Sequence, residues 1–557
     1  MLVGLAVVPL VVLLARAGFQ EWNPVCDVAT MAVRAGEVGT SHTPLVGPYS
    51  RFDWSHPGPL LYYLLAIPYR AFGNHGLLVG SLAINGVAVV VFVRTLLRVG
   101  GAAAATLAVT LVGIATFSLG TWSLWSPWNP TIALLPFAAF IAVTWSVSLG
   151  QLRDAPWLVG LGSLLVQSHV GYGLLVLGLV LVAALGAWSS RRPRVPKDAA
   201  DTPAEDPRRP MIISGIVIVI LWIPVAIDAL THRGGNVADL FEFWTSGAPT
   251  IGALRALRLM ALALSLRAPW LGFDAPSGLQ GDEVHGWPVP IALVLLLIAF
   301  AVAVRGRDRI ARNLCVVVLA TIVVGSVAVS SIIGDPLFYL VHWTKIVAAM
   351  TWFASTWTLA RALPAHVRTR ARRFAWPALI VGSFAVLAML TVSSARADVP
   401  DGVISRALGT VLPQVRRELA EAPGPVAVDT SDGFWSGCYG SGLLLTLLQS
   451  GVDVTATRGE AKYFGTHYAN DRAPGTSVSV VTSALGIERG KEQGGDLIAQ
   501  SAPIQPLPRD AAPQLPGEDI TSYLARLADT DPQALKRLEP WWLAPFPVAV
   551  FRGSVPP

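Results

Sequence analysis

Long apolar runs separated by short polar segments occupy the chain as far as about residue 393. Such runs are long enough to cross the hydrocarbon core of a bilayer, and lipid offers the backbone no hydrogen-bond partners, so helices are expected. The pattern predicts eleven transmembrane helices, near residues 1–18, 76–96, 101–120, 130–149, 156–172, 174–188, 211–229, 289–304, 313–333, 338–360 and 376–393.

One apolar stretch, Pro59–Phe72, is not predicted to span the membrane. It has about 14 residues, contains Pro68 and ends in Arg70. Counting it as a span would place Arg94 and Arg98 outside the cell and invert every later loop. We therefore predict an amphipathic helix that lies in the outer membrane interface, within a first exterior loop over residues 18–75.

The chain changes character after residue 393. Residues 394–557 are polar and punctuated by Pro and Gly, and short strand patterns alternate with a helical one. Alternating β and α signals predict a small α/β domain. The expected organisation is a transmembrane domain over 1–393 and an α/β domain over 394–557.

The distribution of Lys and Arg predicts the orientation. Eighteen basic residues lie in five short loops, near residues 94–98, 150–155, 189–210, 305–312 and 361–373. The longer segments 18–75 and 228–288 hold only seven. Because basic loops stay in the cytoplasm, the long segments and the C-terminal domain are predicted to be exterior. The protein is thus expected in the plasma membrane as a multi-pass protein.

Composition agrees with this class. Charged residues make up 14% of the chain and hydrophobic residues 53%, whereas soluble domains have about 25% charged residues. The net charge of +6 lies mostly in the basic loops, so no nucleic acid is expected as a partner. The opening run lacks a basic n-region and a clear cleavage site, so it is expected to be a span rather than a removed signal peptide.

The three cysteines, Cys26, Cys315 and Cys438, form no disulfide framework and no thiolate metal site. Cys26 and Cys438 would both face the oxidising exterior, but sequence gives no distance between them, so their pairing stays open. The chain also lacks a P-loop, a G-x-G-x-x-G after a strand, H-E-x-x-H and C-x-x-C. These absences argue against nucleotide hydrolysis, dehydrogenase and metalloprotease chemistry.

Ionisable residues near the outer face are the informative ones, since they are costly in lipid. Asp27 follows the first span closely, and Arg51, Asp53 and His56 precede the interfacial helix. A carboxylate there can act as a general base towards a hydroxyl. The alternative for Asp27 is an N-cap of the helix that follows.

Polar and aromatic residues recur at the outer ends of later spans. Trp128 and Asn129 suit a sugar ring, which stacks on one and hydrogen-bonds to the other, although tryptophan also forms interfacial belts. Gln167, His169 and Tyr172 would line a cavity or bond helices together.

His342 and Lys345 reach the outer end of another predicted span. A cation at this depth can neutralise a phosphate oxygen. Its alternative is a lysine whose ammonium group reaches up to the lipid headgroups.

Taken with these motifs, the chain resembles the GT-C superfamily of membrane glycosyltransferases, in the branch of the protein O-mannosyltransferases and the aminoarabinose transferase of lipid A, with many actinobacterial homologues. The resemblance rests on Asp27 in NPVCDVATMAVRAGE, on HPGPLLYYL, which is similar to the K-P-P-L-x-Y-W segment of that branch, and on the C-terminal α/β domain. The branch often has a second acidic residue after the first, whereas Val28 follows Asp27 here.

The resemblance implies a polyprenyl-phosphate sugar donor and an inverting transfer. Asp27 would deprotonate the acceptor hydroxyl, and Arg51, His56 or Lys345 would stabilise the leaving phosphate. Arg51, Asp53 and His56, with the later-loop residues, would bind substrate; no cofactor and no metal are expected. The sugar would be mannose or arabinofuranose, and the acceptor a cell-wall glycan, a glycolipid or a protein of an actinobacterial envelope.

Two other functions fit the same pattern. A transporter or flippase of a lipid-linked sugar would share the outer cavity, but it predicts inverted repeats, and the two halves show no convincing repeat. A non-catalytic scaffold whose tail binds cell-wall polymer would make Asp27 dispensable.

Overall fold

The computed structural model describes residues 1–190, 207–232, 234–266, 287–334, 336–422, 424–430, 434–469, 475–482, 484–501, 526, 530 and 547–553. Within these residues the chain forms two compact units. Unit 1 comprises Met1–Ala17, Pro44–Leu64 and Leu78–Ala397, and unit 2 comprises Gly18–Thr43, Leu65–Leu77 and Asp398–Pro557.

Helices dominate the described chain. In chain order they are α1 (Leu2–Ala17), α2 (Cys26–Glu37), α3 (Leu60–Phe72), α4 (Asn74–Leu119), α5 (Asn129–Ile132), α6 (Leu134–Ser148), α7 (Ala155–Ser168), α8 (Gly173–Ser190), α9 (Arg208–Thr231), α10 (Gly235–Thr245), α11 (Gly252–Ala263), α12 (Ile291–Arg305), α13 (Arg309–Ser330), α14 (Phe338–Val341), α15 (Thr344–Ala362), α16 (Ala365–Arg396), α17 (Gly402–Leu419), α18 (Phe434–Gln449), α19 (Arg458–Phe464) and α20 (Ala484–Glu492).

Each predicted span coincides with helix. Six helical stretches of the described residues are long and apolar enough to cross a membrane, and α1, α3 and α12 are shorter apolar helices. The chain is thus a multi-pass helical protein, while the count of eleven crossings stays a prediction. The predicted spans 76–96 and 101–120 are two helical segments of α4, separated at Gly101, where the backbone is not helical and the φ of 79° suits glycine.

Helix α6 is the central helix of unit 1. All its residues except Leu135 are buried, and it packs against α7, α8, α13 and α15. Its sequence is apolar around the whole circumference, as expected for a helix enclosed by other helices. Trp145 of α6 packs edge to face against the rings of Phe353 and Trp357 of α15.

Four of the five basic loops meet at one end of unit 1. The guanidinium of Arg98 pairs with Asp154, which also accepts a hydrogen bond from Ser146 at 2.6 Å. Arg361 pairs with Asp308 at 2.8 Å. Each ion pair joins two loops that the charge pattern assigns to the same side of the membrane, as that assignment requires.

Unit 2 contains a mixed sheet. Its strands are β1 (Val426–Asp429), β2 (Val454–Ala456), β3 (Thr476–Val481), β4 (Asp496–Gln500) and β5 (Ala549–Arg552). The order is β2-β1-β3-β5-β4; β1 is parallel to β2 and β3, whereas β5 is antiparallel to β3 and β4. Helices α17 and α18 pack on this sheet, so the described tail has the mixed α/β character expected from its sequence.

Candidate functional site

A short hairpin of unit 1 holds His56. The Gly47 N–H donates to the His56 carbonyl at 2.9 Å, and the His56 N–H donates to the Pro48 carbonyl at 2.7 Å. A Cβ atom on Gly47 would lie 2.6 Å from the Gly58 carbonyl oxygen, so the two chain segments approach each other as only glycine allows. The backbone of His56 is therefore held in place by contacts that do not involve its ring.

The rings of His56 and His169 form a buried pair. They are 6% and 9% exposed, and their centroids are 4.7 Å apart. The Val170 N–H donates to Nδ1 of His56 and the Gly171 N–H to Nδ1 of His169, both at 3.2 Å. An Nδ1 that accepts a hydrogen bond carries no proton, so each neutral ring has its proton on Nε2.

This pair presents two hydrogen-bond donors. Among the residues that the structure describes, neither Nε2 has a hydrogen-bond partner. Burial, followed by the neighbouring His169 ring, lowers the pKa of His56 well below its usual value, so His56 is neutral at pH 7. The pair therefore offers N–H groups rather than full positive charges.

Gln167 ties the hairpin to the helices. It is fully buried; its Oε1 accepts from the Leu60 N–H at 3.2 Å, and its Nε2 donates to the Leu221 carbonyl at 2.9 Å. A Cβ atom on Gly58 would lie 2.4 Å from Gln167 Oε1. Gln167 therefore supports the start of α3. Both polar atoms of its amide are engaged in these hydrogen bonds rather than facing a cavity.

The loops before α6 and before α15 lie beside the histidine pair. Asn129 Nδ2 donates to the Ser168 carbonyl at 3.0 Å. His342 Nε2 lies 3.1 Å from the Pro130 carbonyl, so this nitrogen is the donor and a neutral ring keeps Nδ1 as an acceptor. Tyr172 packs 6.3 Å from the His169 ring.

Six predicted residues thus come together, and we call them the histidine cluster: His56, Asn129, Gln167, His169, Tyr172 and His342. The hydroxyls of Thr131, Ser168 and Tyr172 beside them are buried without a partner in the described chain. Buried polar groups are normally hydrogen-bonded, so these hydroxyls suit a polar ligand. The two histidine N–H groups beside them could donate to the same ligand.

The other predicted residues of unit 1 make different contacts. Trp128 packs edge to face on Tyr339 at 5.2 Å. Arg51 donates to the Ile333 carbonyl at 3.3 Å, and Asp53 accepts from the Tyr49 hydroxyl. Lys345 Nζ donates to the Ser118 carbonyl at 3.1 Å, which engages the ammonium group within the protein.

Asp27 lies in unit 2, exposed in the first turn of α2. The N-cap of this helix is Val25, so Asp27 is not the capping residue.

A disulfide joins the residue before Asp27, Cys26, to Cys438 of α18, so the two cysteines whose pairing the sequence left open are bonded. Trp22 Nε1 also donates to the Pro400 carbonyl at 2.9 Å. These two contacts attach the segment before Asp27 to the C-terminal part of unit 2, at Pro400 and Cys438.

Asp401 is a second carboxylate near Asp27, and sequence reasoning missed it. It precedes α17 with a φ of 53°, and its pKa is raised to about 6 because surrounding protein desolvates it and the charge of Asp27 repels its ionised form. Nothing in the local sequence signals this, since the two residues are far apart along the chain.

We expect Asp401→Asn to stabilise the protein at alkaline pH. The folded pKa of about 6 lies above the usual value of 3.8, so ionisation costs stability as the pH rises through 6. Asparagine tolerates the left-handed backbone. Because the residue is partly exposed, the gain should stay below about 1 kcal/mol. Melting temperatures should rise at pH 8 and not at pH 4.

Asp398→Asn provides the matched control, because it removes an exposed carboxylate that pairs with Arg406 at 2.9 Å. It should give no gain at pH 8. Equal gains from both variants would mean that general charge reduction, and not the surroundings of Asp401, sets the effect.

No group of three or more His, Cys, Asp or Glu side chains in the described parts of the chain could hold a metal ion. The sequence expectation of a metal-independent site stays a prediction.

No protein-family model matches the chain, and no curated protein matches it. Its fold is similar to that of ArnT from Cupriavidus metallidurans bound to undecaprenyl phosphate, with a TM-score of 0.52, 13% identity, and 90% of this chain and 96% of ArnT covered. The apo structure of ArnT gives a TM-score of 0.48 at 13% identity, over 88% of this chain and 94% of ArnT. The first of these similarities shows that the chain has an ArnT-like fold over nearly its whole length.

Proposed function

We propose that the protein is a GT-C glycosyltransferase that moves a sugar from a polyprenyl-phosphate donor to an acceptor hydroxyl at the exterior face of the membrane. The observation that carries this proposal is the buried His56–His169 pair, whose two Nε2–H groups have no hydrogen-bond acceptor in the described chain. The ArnT-like fold supports it, because the ArnT structure contains undecaprenyl phosphate.

The histidine pair suits the phosphate of such a donor. Hydrogen bonds to a charged group contribute about 1.5–3 kcal/mol each. As the bond from the anomeric carbon to the phosphate oxygen breaks, negative charge grows on the phosphate, and donors aimed at it lower the barrier. The unpartnered hydroxyls nearby suit the hydroxyl groups of a sugar.

Asp27 is the proposed general base. Its carboxylate would take the proton of the acceptor hydroxyl while that oxygen attacks the anomeric carbon from the side opposite the phosphate, so the configuration inverts. The polyprenyl phosphate leaves with the electron pair of the broken bond. No metal or cofactor enters this scheme.

Two features support the exterior placement of unit 2. Disulfides form and persist in oxidising compartments, and Cys26–Cys438 lies in this unit. The basic loops are expected to be cytoplasmic, and the same charge pattern along the chain puts segment 18–75 and the C-terminal tail outside. In line with the sequence resemblance, we propose mannose or arabinofuranose as the sugar and an envelope glycan, glycolipid or protein of an actinobacterium as the acceptor.

Binding of undecaprenyl phosphate to the purified protein in nanodiscs tests the donor site. We expect His56→Ala and His169→Ala each to raise the Kd about 10-fold to 150-fold, the loss of one charge-assisted hydrogen bond. His56→Gln, whose amide can replace the Nε2 donor, should recover part of the affinity. The exposed residue His366 provides the control variant His366→Ala.

Transfer of radiolabelled sugar from polyprenyl-phosphate mannose and polyprenyl-phosphate arabinofuranose tests the reaction itself. Product formed by the wild-type protein would support the transferase. Tight binding with movement of the lipid-linked sugar across vesicles and no transfer would favour the transporter. Equal affinity in all four histidine variants would contradict the proposed phosphate site.

A further inference from the structure

The residue before His56 is held by an amide from a distant part of unit 1. Asn236, in the first turn of α10, is 7% exposed. Its Oδ1 accepts from the Ser55 N–H and its Nδ2 donates to the Ser55 carbonyl, both at 2.7 Å. Nδ2 also lies 3.5 Å from the His56 carbonyl. One side chain thus satisfies both backbone groups of Ser55, as a neighbouring strand would.

Asp228 in turn holds Asn236. Its Oδ2 accepts from the Asn236 N–H at 2.8 Å, and its Oδ1 lies 3.0 Å from His232 Nδ1. Gly235 makes this approach feasible, because its φ is 52° and a Cβ atom there would lie 2.2 Å from Asp228 Oδ2. Asp228 is 7% exposed near the end of the apolar helix α9, where a buried carboxylate is costly without a role.

Aromatic packing completes the support on the same side. The Phe243 ring of α10 lies 5.3 Å from the Trp54 ring and 4.9 Å from the Phe52 ring. Helix α10 therefore supports the hairpin through one hydrogen-bonding side chain, Asn236, and one aromatic side chain, Phe243. Only the hydrogen-bonding side chain acts directly on residues 55 and 56.

We propose that Asn236, oriented by Asp228, is a positioning residue that sets the orientation of the His56 ring. The ring itself has one described hydrogen bond, from the Val170 N–H, so its direction depends on where its backbone is held. The effect of Asn236 on donor binding rests on the proposed function, whereas its effect on the orientation of the His56 ring does not.

The first test is ¹⁵N NMR of the nine histidines, with the His56 signals assigned by their loss in His56→Gln. The wild type should show one tautomer for His56, with the proton on Nε2. Asn236→Ala should give a mixture of tautomers or a changed ring pKa. Asn313→Ala is the matched control, since Asn313 is also buried and donates to a backbone carbonyl, that of Ser148, at 3.0 Å.

The second test is a double-mutant cycle on undecaprenyl phosphate binding. Asn236→Ala should weaken binding about 10-fold in the wild-type background and leave it almost unchanged when His56 is already alanine. Additive losses would show that Asn236 acts on general stability and would overturn the proposal. Should Asn236→Ala fail to fold, Asn236→Asp, which keeps the side-chain volume, takes its place.

The two proposals fail separately. If the wild type binds no undecaprenyl phosphate, the proposed function fails, and the NMR comparison still decides the role of Asn236. If His56 signals are the same in the wild type and the Asn236 variants, the positioning role is wrong whatever the protein binds.

Discussion

Asp27→Asn is expected to lower sugar transfer by about 10²–10⁴-fold, the usual contribution of a positioned general base. Asparagine keeps the size of the side chain and removes its ability to take a proton. Because the proposed phosphate site lies at His56 and His169, undecaprenyl phosphate binding should not change. The measurement is the single-turnover rate of transfer, with donor affinity determined on the same preparation.

Glu21→Gln is the matched control for this substitution, since Glu21 is another exposed carboxylate of the first exterior loop. It should retain transfer within a few-fold. Equal transfer by wild type and Asp27→Asn would remove Asp27 from the mechanism, and a loss confined to Asp53→Asn would make Asp53 the base. Loss of binding in Asp27→Asn would place this carboxylate in donor recognition instead.

The helical part of the fold was accessible from sequence, because a bilayer requires long apolar segments with internally satisfied backbones. The boundary between the predicted spans 76–96 and 101–120 appears as the Gly101 kink. The stretch excluded from the spans forms the separate helix α3. The strand patterns around residues 426, 454 and 476 also became β1, β2 and β3.

Part of the histidine cluster was also predictable, since polar residues at the ends of apolar helices are rare and conspicuous. The sequence marks His169 and His342 at the outer ends of spans, His56 just before the interfacial helix, and Asn129 beside Trp128 as an amide for a sugar ring; the structure connects these four residues. Their tautomers were not predictable, because these depend on which backbone group faces Nδ1. Gln167 also stands out in the sequence, but in the structure its side chain accepts a hydrogen bond from the start of α3.

Residues that act through tertiary contacts left no sequence signal. Asn236 pairs with Ser55 across 181 positions, and nothing near either residue indicates that pairing. The raised pKa of Asp401 likewise depends on burial and on the charge of Asp27, which is far away along the chain. The pairing of Cys26 with Cys438 also required a distance, since two cysteines separated by 412 positions can be close or far apart.

Cys438→Ser is expected to destabilise unit 2 by about 2–5 kcal/mol, the usual cost of losing a native disulfide. The bond closes a very long loop, with a sequence separation of 412, so it restricts the unfolded chain strongly. It also fixes the residue next to Asp27, so transfer should fall as well. Denaturant unfolding of the purified protein, followed by circular dichroism, measures the loss.

Reduction of the wild type should reproduce the effect of Cys438→Ser, and the variant itself should not respond to reductant. Cys26→Ser should match Cys438→Ser, and the double variant should be no less stable than either, because each change removes the same bond. Cys315→Ser is the control. Cys315 is a buried free thiol of unit 1, so its substitution leaves the Cys26–Cys438 bond intact. A wild type whose unfolding is insensitive to reductant, with Cys26 and Cys438 both reactive towards maleimide, would contradict the disulfide. If these two thiols, once reduced, react with a membrane-permeant maleimide but not with an impermeant one in intact cells, the exterior placement of unit 2 is wrong.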